Sequence, residues 1–577
     1  MKLILKQYLS SLRERDELDV VLPDLLSQLG LNVFSRPGRG TTQRGVDVGA
    51  VGCLEAGDEK VFLFSIKAGD LTRKDWDSDS EQSLRRSLNE IIDAYIPHRL
   101  PVEHRGKKVV ICICFGGDVQ EQVREQLKGF EERNTSETIS FEEWNGDKLS
   151  ELILSNFLRE DLLPENCRAD LRKSLALLDE PEASYRHFER LVVALSGKDG
   201  EKDVGRITSI RQISICLWVL FAWAREAKNM ESAYLAGELA LLHGWHILKA
   251  YIEKSNKSAQ AVQDAFLSIF SAYQQICAEF HLANTLPHVE KKHALSSAIR
   301  ASNSLDINLK LFDLLGRLGI SGVWAYWGAR RCVDGEEVMQ QKYFQDTWEY
   351  VSAIKALITN NPALLLPAKD DQAIDISISL LALATEASNH RYIESWFVEM
   401  IDRANFSYQV HGHYPSTQNS YSELLEHPQS GDSAYRETVT QGSILYPLIG
   451  LWAALVQNEG VYGKVMELKK KLLRHCNFQF WYPDENSEEH FYANKDAHGA
   501  TLSHLGLERG MDVFLAQVFG ECEQTTHFQE LSAIKFAWWP IIIVACRHYR
   551  LPLPIQLFDG LRKKEQGETG TTTTAQE

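Results

Sequence analysis

The sequence predicts a mixed α/β domain followed by an all-α helical array, and three observations lead to this fold class. The chain has 577 residues, which is too long for one hydrophobic core and predicts several domains. Strand and helix patterns alternate up to about residue 160, and only helical periodicity continues beyond residue 165. We therefore expect domains over residues 1–160 and 165–562. The low-complexity tail 563–577 predicts disorder.

The elements of the first domain follow from apolar periodicity and turn residues. Residues 16–29 place Leu18, Leu22 and Leu25 on one helical face, and Gly30 ends the helix. Later patterns predict strands at 32–34, 46–54, 60–67, 108–115 and 138–144, and helices at 80–95, 119–132 and 147–158. This order is typical of a mixed sheet with helices on its faces.

Charge and composition limit the classes of function. The formal net charge is -17, which argues against a broadly basic surface, so any contact with nucleic acid must be local. The ten cysteines include no CxxC pair for a zinc site, and we expect reduced thiols. The longest apolar runs, 213–224 and 536–546, are shorter than the roughly 20 residues of a membrane span. We expect a soluble, cytoplasmic protein without membrane contact.

The second domain carries amphipathic helical patterns without a fixed repeat, interrupted at 407–436 and 481–500. The interruptions and their surroundings contain His411, His413, His490, His498 and His504, but no helical HExxH pattern. We interpret these histidines as loop and interface residues. A polar pocket that senses a ligand is the alternative.

The segment GVDVGAVGCLEAGDEKVFLFSIK carries the strongest chemical signal. A hairpin centred near Gly57 would place Asp47 directly across from Lys67. Ser65 shares a face with Lys67 because side chains alternate along a strand, and Phe62, Phe64 and Ile66 can anchor the opposite face in the core. The sequence therefore predicts a carboxylate, a hydroxyl and an ammonium together at one end of a rigid sheet. A salt bridge between Asp47 and Lys67 without catalytic function is the alternative.

This combination suits hydrolysis of a phosphodiester bond. Asp47 could hold Mg²⁺ or Mn²⁺, which activates water and neutralises charge on the phosphate. Lys67 could orient the water or stabilise the developing charge. We expect loop residues to bind the phosphates of the nucleic-acid backbone. These residues are Arg39, Arg44, Arg73 and Lys74.

The helix, the Gly-Val-Asp47-Val segment and the apolar strand ending Ser65-Ile-Lys67 resemble the PD-(D/E)xK nuclease superfamily, particularly Mrr-like restriction endonucleases and archaeal Holliday-junction resolvases. The resemblance covers about residues 10–158. It implies a restriction-endonuclease-like sheet, a catalytic set of Asp47, Ser65 and Lys67, and a further metal ligand at Glu17 or Asp19. The family's usual acid two residues before the lysine is Ser65 here, and Asp70 is another possible substitute.

The resemblance implies a metal-dependent endonuclease with DNA as its expected substrate. Joining such a domain to a large helical domain resembles anti-phage defence effectors, in which the helical part controls the nuclease through a partner protein or homo-oligomer. The alternative is a catalytically inactive nuclease-like domain that serves as a nucleic-acid- or protein-binding scaffold. Ser65 and the acidic net charge favour that alternative.

Overall fold

A computed structural model gives the structure of residues 2–36, 44–54, 58–78, 83–156, 165–197, 203–410, 412–427, 432–493 and 497–561. Arg39, His411 and the predicted tail 563–577 lie outside these residues. The chain divides into two compact units, Met1–Ile276 and Cys277–Glu577. The first unit contains the α/β region together with the first helices that the sequence assigns to the array. The predicted boundary at 160–165 stays a prediction.

The first unit contains the predicted mixed sheet. Its elements are α1 (Lys2–Ser11), α2 (Asp19–Gln28), β1 (Asn32–Ser35), β2 (Val48–Gly52), β3 (Lys60–Lys67), α3 (Arg73–Trp76), α4 (Leu84–Glu90), β4 (Val109–Phe115), α5 (Glu121–Asn134), β5 (Ile139–Trp144), α6 (Gly146–Asn156), α7 (Glu165–Ala176), α8 (Pro181–Ser196), α9 (Asp203–Glu226), α10 (Glu231–Leu248) and α11 (Lys257–Asn284), which continues into the second unit. Two π-helical segments, Glu14–Leu18 and Ile91–Arg99, and a 3-10 turn, Val102–His104, complete it.

The five strands lie in the order β1-β2-β3-β4-β5. β1, β2 and β3 pair antiparallel, whereas β3, β4 and β5 pair parallel. β4 is buried throughout, as its two-sided apolar pattern predicts. The mixed α/β class is therefore confirmed for this region.

The core of the sheet lies on both of its faces. On one face, alternate residues of β3 and β4, such as Leu63 and Ile111, pack against Leu88 of α4 and Leu127 of α5. On the other face, the Phe64 ring meets Trp144 of β5 edge to face, with 5.0 Å between ring centroids. The apolar alternation of β3 therefore anchors the strand whose last residue is Lys67.

Two local features differ from the sequence prediction. The N-terminal helix α1 is absent from the prediction, although its Leu5 and Leu9 are fully buried. The helix predicted over 16–29 begins instead as a π-helical turn, Glu14–Leu18, in which the Leu18 N–H donates to the Arg13 carbonyl at 3.1 Å. We call Glu14–Leu18 the π turn. It passes directly into α2. Its backbone geometry determines the directions of the acidic side chains that it carries.

The second unit is mainly helical, as predicted. Its helices are α12 (Ala294–Ala298), α13 (Ser304–Arg331), α14 (Glu337–Asn360), α15 (Ala373–Leu383), α16 (His390–Gln409), α17 (Tyr421–Glu426), α18 (Ser433–Val439), α19 (Leu445–Leu455), α20 (Glu459–Lys471), α21 (Ser487–His490), α22 (Met511–Gln524), α23 (His527–Glu530), α24 (Ser532–Lys535) and α25 (Pro540–Tyr549). Short 3-10 turns lie at Pro362–Leu365, Asp370–Gln372, Ala387–Asn389, Leu507–Arg509 and Ile555–Phe558.

Four short strands correct the expectation that this part is entirely α. β6 (Gly442–Ser443) pairs with β7 (Asn477–Phe478), and β8 (Phe480–Tyr482) pairs with β9 (Ala500–Leu502). The strands contain only two or three residues each, so their sequences carry no strand periodicity that a pattern search could detect. β8 and β9 lie at the ends of the predicted irregular stretch 481–500.

Candidate nuclease-type site

Asp47 lies immediately before β2, where pairing between β2 and β3 ends. Its backbone N–H donates to the Phe64 carbonyl at 2.8 Å, and its Oδ2 accepts from the Ile66 N–H at 2.7 Å. The side chain thus supplies an acceptor that a longer β2 would have supplied through its backbone. Part of the role of Asp47 is therefore to end the ladder between the two strands.

The surroundings of Asp47 favour its neutral form. Burial raises the pKa of Asp47 to about 6, and the nearby Glu14 carboxylate also raises it. The Ile66 N–H and the positive charges of Lys67 and Arg15 oppose that shift in pKa. A cation bound beside Asp47 would offset the cost of burying its charge. This carboxylate is therefore suited to an exchange of proton for metal.

Lys67 is the last residue of β3 and is 7% exposed. Its Nζ lies 3.1 Å from Glu14 Oε2, on the π turn. Because a buried ammonium is costly without a partner, the Glu14 carboxylate provides the ion-pair partner that Lys67 needs at this position. Glu14 therefore contacts the Lys67 ammonium, and both groups act electrostatically on Asp47.

The register of the hairpin differs from the prediction by two residues. Val48 pairs with Phe64 and Gly52 with Lys60, whereas the predicted centre at Gly57 would pair Asp47 with Lys67. The sequence does not mark the centre of the turn, and an error of one residue in the centre moves every partner by two. A two-residue shift preserves the face on which a side chain lies. Ser65 and Lys67 share a face in either register because they lie two residues apart in β3, whereas the predicted direct pairing of Asp47 with Lys67 is wrong.

Ser65 is 1% exposed and lies in the middle of the parallel pairing between β3 and β4, where it is the partner of Ile113. Its hydroxyl occupies the position at which the PD-(D/E)xK pattern has an acid. Ser65 contributes no charge to the site, so the acidic groups beside Lys67 come from outside β3.

Glu17 and Asp19 lie close to the π turn, but neither is the acid beside Lys67. Glu17 is fully buried and pairs with Arg13 and Arg225, whose Nη1 lies 2.7 Å from its Oε1. Asp19 is the first residue of α2. Asp70, the other candidate substitute, accepts from the Asp118 N–H at 2.8 Å and so holds a loop. The structure thus places the Glu17 carboxylate in an ion-pair cluster rather than beside Lys67.

Glu14 is the site residue that sequence reasoning missed. It belongs to the same acidic run, RERDELD, as Glu17 and Asp19. The run itself signals acids next to the site, but the choice among them depends on the π turn, which has no pattern in the sequence. A π turn changes the angular spacing of side chains from that of an α-helix. Such segments occur frequently at functional sites.

The predicted phosphate-binding residues are only loosely tied to the site. Arg44 is exposed and has a left-handed backbone conformation, with φ 52°. Arg73 and Lys74 are exposed in α3, whose first turn is held by a capping box between Thr72 and Asp75. These three side chains are available to a ligand, and no contact joins them to Asp47 or Lys67 in the described residues.

A divalent metal held by Glu14 and Asp47 would have to retain water. Within the described ranges, no group of three or more His, Cys, Asp or Glu residues could hold a metal ion. Mg²⁺ is commonly held by one or two carboxylates together with water and substrate oxygens. Glu14 and Asp47 would supply two such carboxylates. They do not match a closed cage made by protein ligands alone.

The histidines of the second unit give no metal site among the residues described there. His498 is buried and its Nδ1 lies 3.0 Å from Ser487 Oγ, while the His490 ring stacks on it. Burial lowers the pKa of His413 and of His427. Packing and a hydrogen bond hold the His498 ring, and the interpretation of the histidines as loop and interface residues stays a prediction.

One helix of the described chain is long and apolar enough to span a membrane. It is α9, and 83% of its apolar window is buried in the structure. Its predicted apolar run, 213–224, lies among these buried residues.

Comparisons of the chain with models of protein families, with curated proteins and with solved structures found no match.

Proposed function

We propose that this protein is a divalent-metal-dependent nuclease of the PD-(D/E)xK type, with a restriction-endonuclease-like sheet and with DNA as its substrate. The observation that carries the proposal is the convergence of Glu14, Asp47 and Lys67 at the end of β3, on a sheet that is buried on both faces. Two carboxylates and an ammonium supply the groups that phosphodiester hydrolysis requires.

Glu14 and Asp47 would hold the metal, Mg²⁺ or Mn²⁺. When bound, such an ion activates water and neutralises charge on the phosphate. Lys67 would leave Glu14 as that carboxylate turns to the ion, and its ammonium would then stabilise the phosphate oxygens. Arg15, which acts electrostatically on Asp47, supplies a second positive charge at the same end of the sheet.

Exposed basic side chains would hold the nucleic-acid backbone. Arg44, Arg73 and Lys74 are exposed, and with Arg39 they form the proposed set of phosphate contacts. With a net charge of -17, such a nuclease binds through this local set and not through its whole surface. Binding should therefore weaken with salt, in proportion to the small number of phosphate contacts.

The test is cleavage of supercoiled plasmid by the full-length protein in the presence of Mg²⁺ or Mn²⁺. Lys67→Met should lower the cleavage rate by roughly 100-fold, since loss of one charge-stabilising donor has an effect of that order. Asp47→Ala should abolish cleavage. Asp77→Asn, which removes a surface carboxylate paired with Arg85, is the matched control and should cleave like the wild type. Equal cleavage by all four proteins would refute the proposal.

The second candidate function is a non-catalytic scaffold that binds nucleic acid or protein. Two observations favour it: Lys67 is already neutralised by Glu14, and Ser65 stands where the family has an acid. A calorimetric titration with Mn²⁺ distinguishes the two functions. Absence of binding, together with identical behaviour of Asp47→Ala, would favour the scaffold.

The combination of a nuclease-type domain with a helical array also suggests a biological role for the proposed nuclease. A nuclease joined to a long helical array is organised as an anti-phage defence effector would be, with the array controlling the site through a partner protein or a second copy of the chain. An in vivo measurement of phage plating on cells carrying the wild type or Lys67→Met tests this extension. Equal plating on both strains would refute it.

A further inference from the structure

The π turn that carries Glu14 is held by an unusual buried charge. Glu17, within the turn, is 0% exposed. Its carboxylate accepts from the Arg13 backbone N–H at 2.8 Å and lies 2.9 Å from Arg13 Nε. These contacts are local, since Arg13 immediately precedes the turn. They do not attach the turn to another element.

Arg225 makes that attachment. It lies in the last turn of α9, and its Nη1 and Nη2 donate to the two oxygens of Glu17 at 2.7 and 3.2 Å. The Arg225 guanidinium also lies over the Phe221 ring, with 5.1 Å from its Cζ to the ring centroid. A bidentate pair of this kind fixes direction as well as distance. The Arg225 contact therefore attaches the π turn to α9.

We propose that Arg225 is a positioning residue of the candidate site: by holding Glu17, it keeps the π turn in the conformation that brings Glu14 to Lys67. This inference rests on the proposed nuclease function for its catalytic meaning. It makes a helix that the sequence assigns to the helical array part of the machinery that arranges the site.

The physical reason is the low intrinsic stability of a π turn. Such turns are rare because their geometry is less favourable than that of an α-helix, and they persist where surrounding contacts hold them. Without Arg225, a fully buried Glu17 would retain only Arg13 and would move toward water. The turn would then relax, and Glu14, three residues earlier, would leave its position 3.1 Å from Lys67.

A buried ion pair could instead act only on stability, and the variants are chosen to separate these roles. Arg225→Met removes the attachment and leaves the Glu17 charge buried. The double variant Glu17→Gln/Arg225→Met removes both charges, which should recover stability because no unpaired buried charge remains. A purely structural role predicts that cleavage recovers with stability. A positioning role predicts stable protein with low cleavage.

Arg211→Met is the matched control. Arg211 lies on the same helix and donates from Nη1 to the Gln28 side chain at the end of α2, so its loss also weakens the attachment of α9 without touching Glu17. Arg225→Met and the double variant should lower Mn²⁺-dependent plasmid cleavage by about 10- to 100-fold, the usual effect of residues that orient ligands. Arg211→Met should stay within about twofold of the wild type by the same reasoning.

Hydrogen–deuterium exchange on the full chain gives a readout that does not depend on activity. Amides of the π turn should exchange faster in Arg225→Met and in the double variant than in Arg211→Met. If the wild type cleaves nothing, the proposed function fails, and faster exchange still supports the role of Arg225 in holding the turn. Wild-type cleavage and exchange in the double variant would overturn the inference. The double variant carries the test if Arg225→Met does not fold.

Discussion

At the scale of single residues, the candidate site contains carboxylates that serve the fold and that we propose also serve the chemistry. The Asp47 carboxylate ends the pairing of β2 with β3 through the Ile66 N–H, and its charge is opposed by burial and by Glu14. If Asp47 has a structural function alone, replacing its carboxylate with a neutral group should stabilise the folded protein whether or not metal is present. If Asp47 is a metal ligand, its charge is needed when the ion is bound, and the same replacement should weaken metal binding.

Asp47→Asn should stabilise the metal-free protein at pH 7.5 but not at pH 4. The pKa of Asp47 is about 6 in the fold, against 3.8 ordinarily, so folding favours the protonated form. The stability that protonated Asp47 contributes is complete below pH 3.8 and is lost as the pH rises through 6. Asn does not titrate, so the variant does not lose it. The expected gain at pH 7.5 is about 1–3 kcal/mol.

Urea unfolding at the two pH values measures this gain. The groups that face Asp47 are Glu14, Lys67, Arg15 and the Cys114 thiol, whose pKa is raised by burial and by the Asp47 charge. The variant retains all four of these residues. An equal effect of Asp47→Asn at both pH values would contradict the assigned cause.

Ser65→Glu should create a stronger metal site. It places an acid on the face of Lys67, where the PD-(D/E)xK pattern has one, and adds a third carboxylate to Glu14 and Asp47. Affinity for Mn²⁺ should rise by about tenfold, because oxygen-ligand sites tighten with ligand charge. Calorimetric titration measures it, and Ser65→Gln, of similar size without charge, is the control. Equal affinities for Ser65→Glu and Ser65→Gln would show that no ion is held beside β3.

At the scale of elements, apolar pattern predicts strands well and connections poorly. The strand predicted at 60–67 matches β3, and 108–115 matches β4 within one residue, because long buried runs have one favourable arrangement. The predicted register of the hairpin is wrong by two residues, since several turn centres satisfy the same alternation. Helix α1 is absent from the prediction because its apolar residues lie at the very start of a charged segment, where a partial pattern is weak.

The sequence prediction named Glu17 or Asp19, and not Glu14, as a further metal ligand, and this has a similar physical cause. The sequence indicates that an acid of the RERDELD run lies near the site, and an α-helical projection cannot identify which one. The conformation of the π turn determines which acid lies near the site: Glu14 contacts Lys67, and Glu17 contacts Arg225. The contact with Arg225 joins residues separated by 208 positions, and no local pattern contains that information. The positions of Asp47, directly before β2, and of Lys67, at the end of β3, in contrast follow from the apolar strand patterns alone.

Gly45→Ala should destabilise the element that leads into Asp47 far more than an ordinary glycine substitution. Gly45 has φ +79°, and a Cβ there would lie 2.1 Å from the Ser87 carbonyl oxygen in α4. Gly106 has φ +87°, and a Cβ there would meet nothing within 4 Å, so Gly106→Ala isolates the cost of the backbone conformation, about 1–2 kcal/mol. Gly45→Ala should exceed that cost by roughly 1–3 kcal/mol. Urea unfolding measures both, and equal losses would contradict the close approach of α4.

At the scale of the whole molecule, the division into two units bears on how the helical array relates to the site. The unit Met1–Ile276 contains both the sheet and α7 to α10, so the first helices of the array belong to the same compact unit as the α/β region. Sequence pattern alone separates the two at about residue 160, because it detects the change of periodicity and not the contacts. Control of the site by the array would then act within one compact unit, through contacts such as that of Arg225 with Glu17.

The second unit should lose stability in mild acid through His281. This side chain is fully buried, and burial together with the charges of Arg317 and Arg547 lowers the pKa of His281 to about 3. The folded state therefore keeps His281 neutral while the unfolded chain binds a proton below pH 6.5, so stability is complete above pH 6.5 and falls as the pH decreases toward 3. Between pH 7 and pH 5 the loss should be about 2 kcal/mol. His281→Gln should lack that loss in urea unfolding, whereas His288→Gln, an exposed control in the same unit, should retain it. A parallel pH dependence of the wild type and both variants would show that His281 is not the group that titrates.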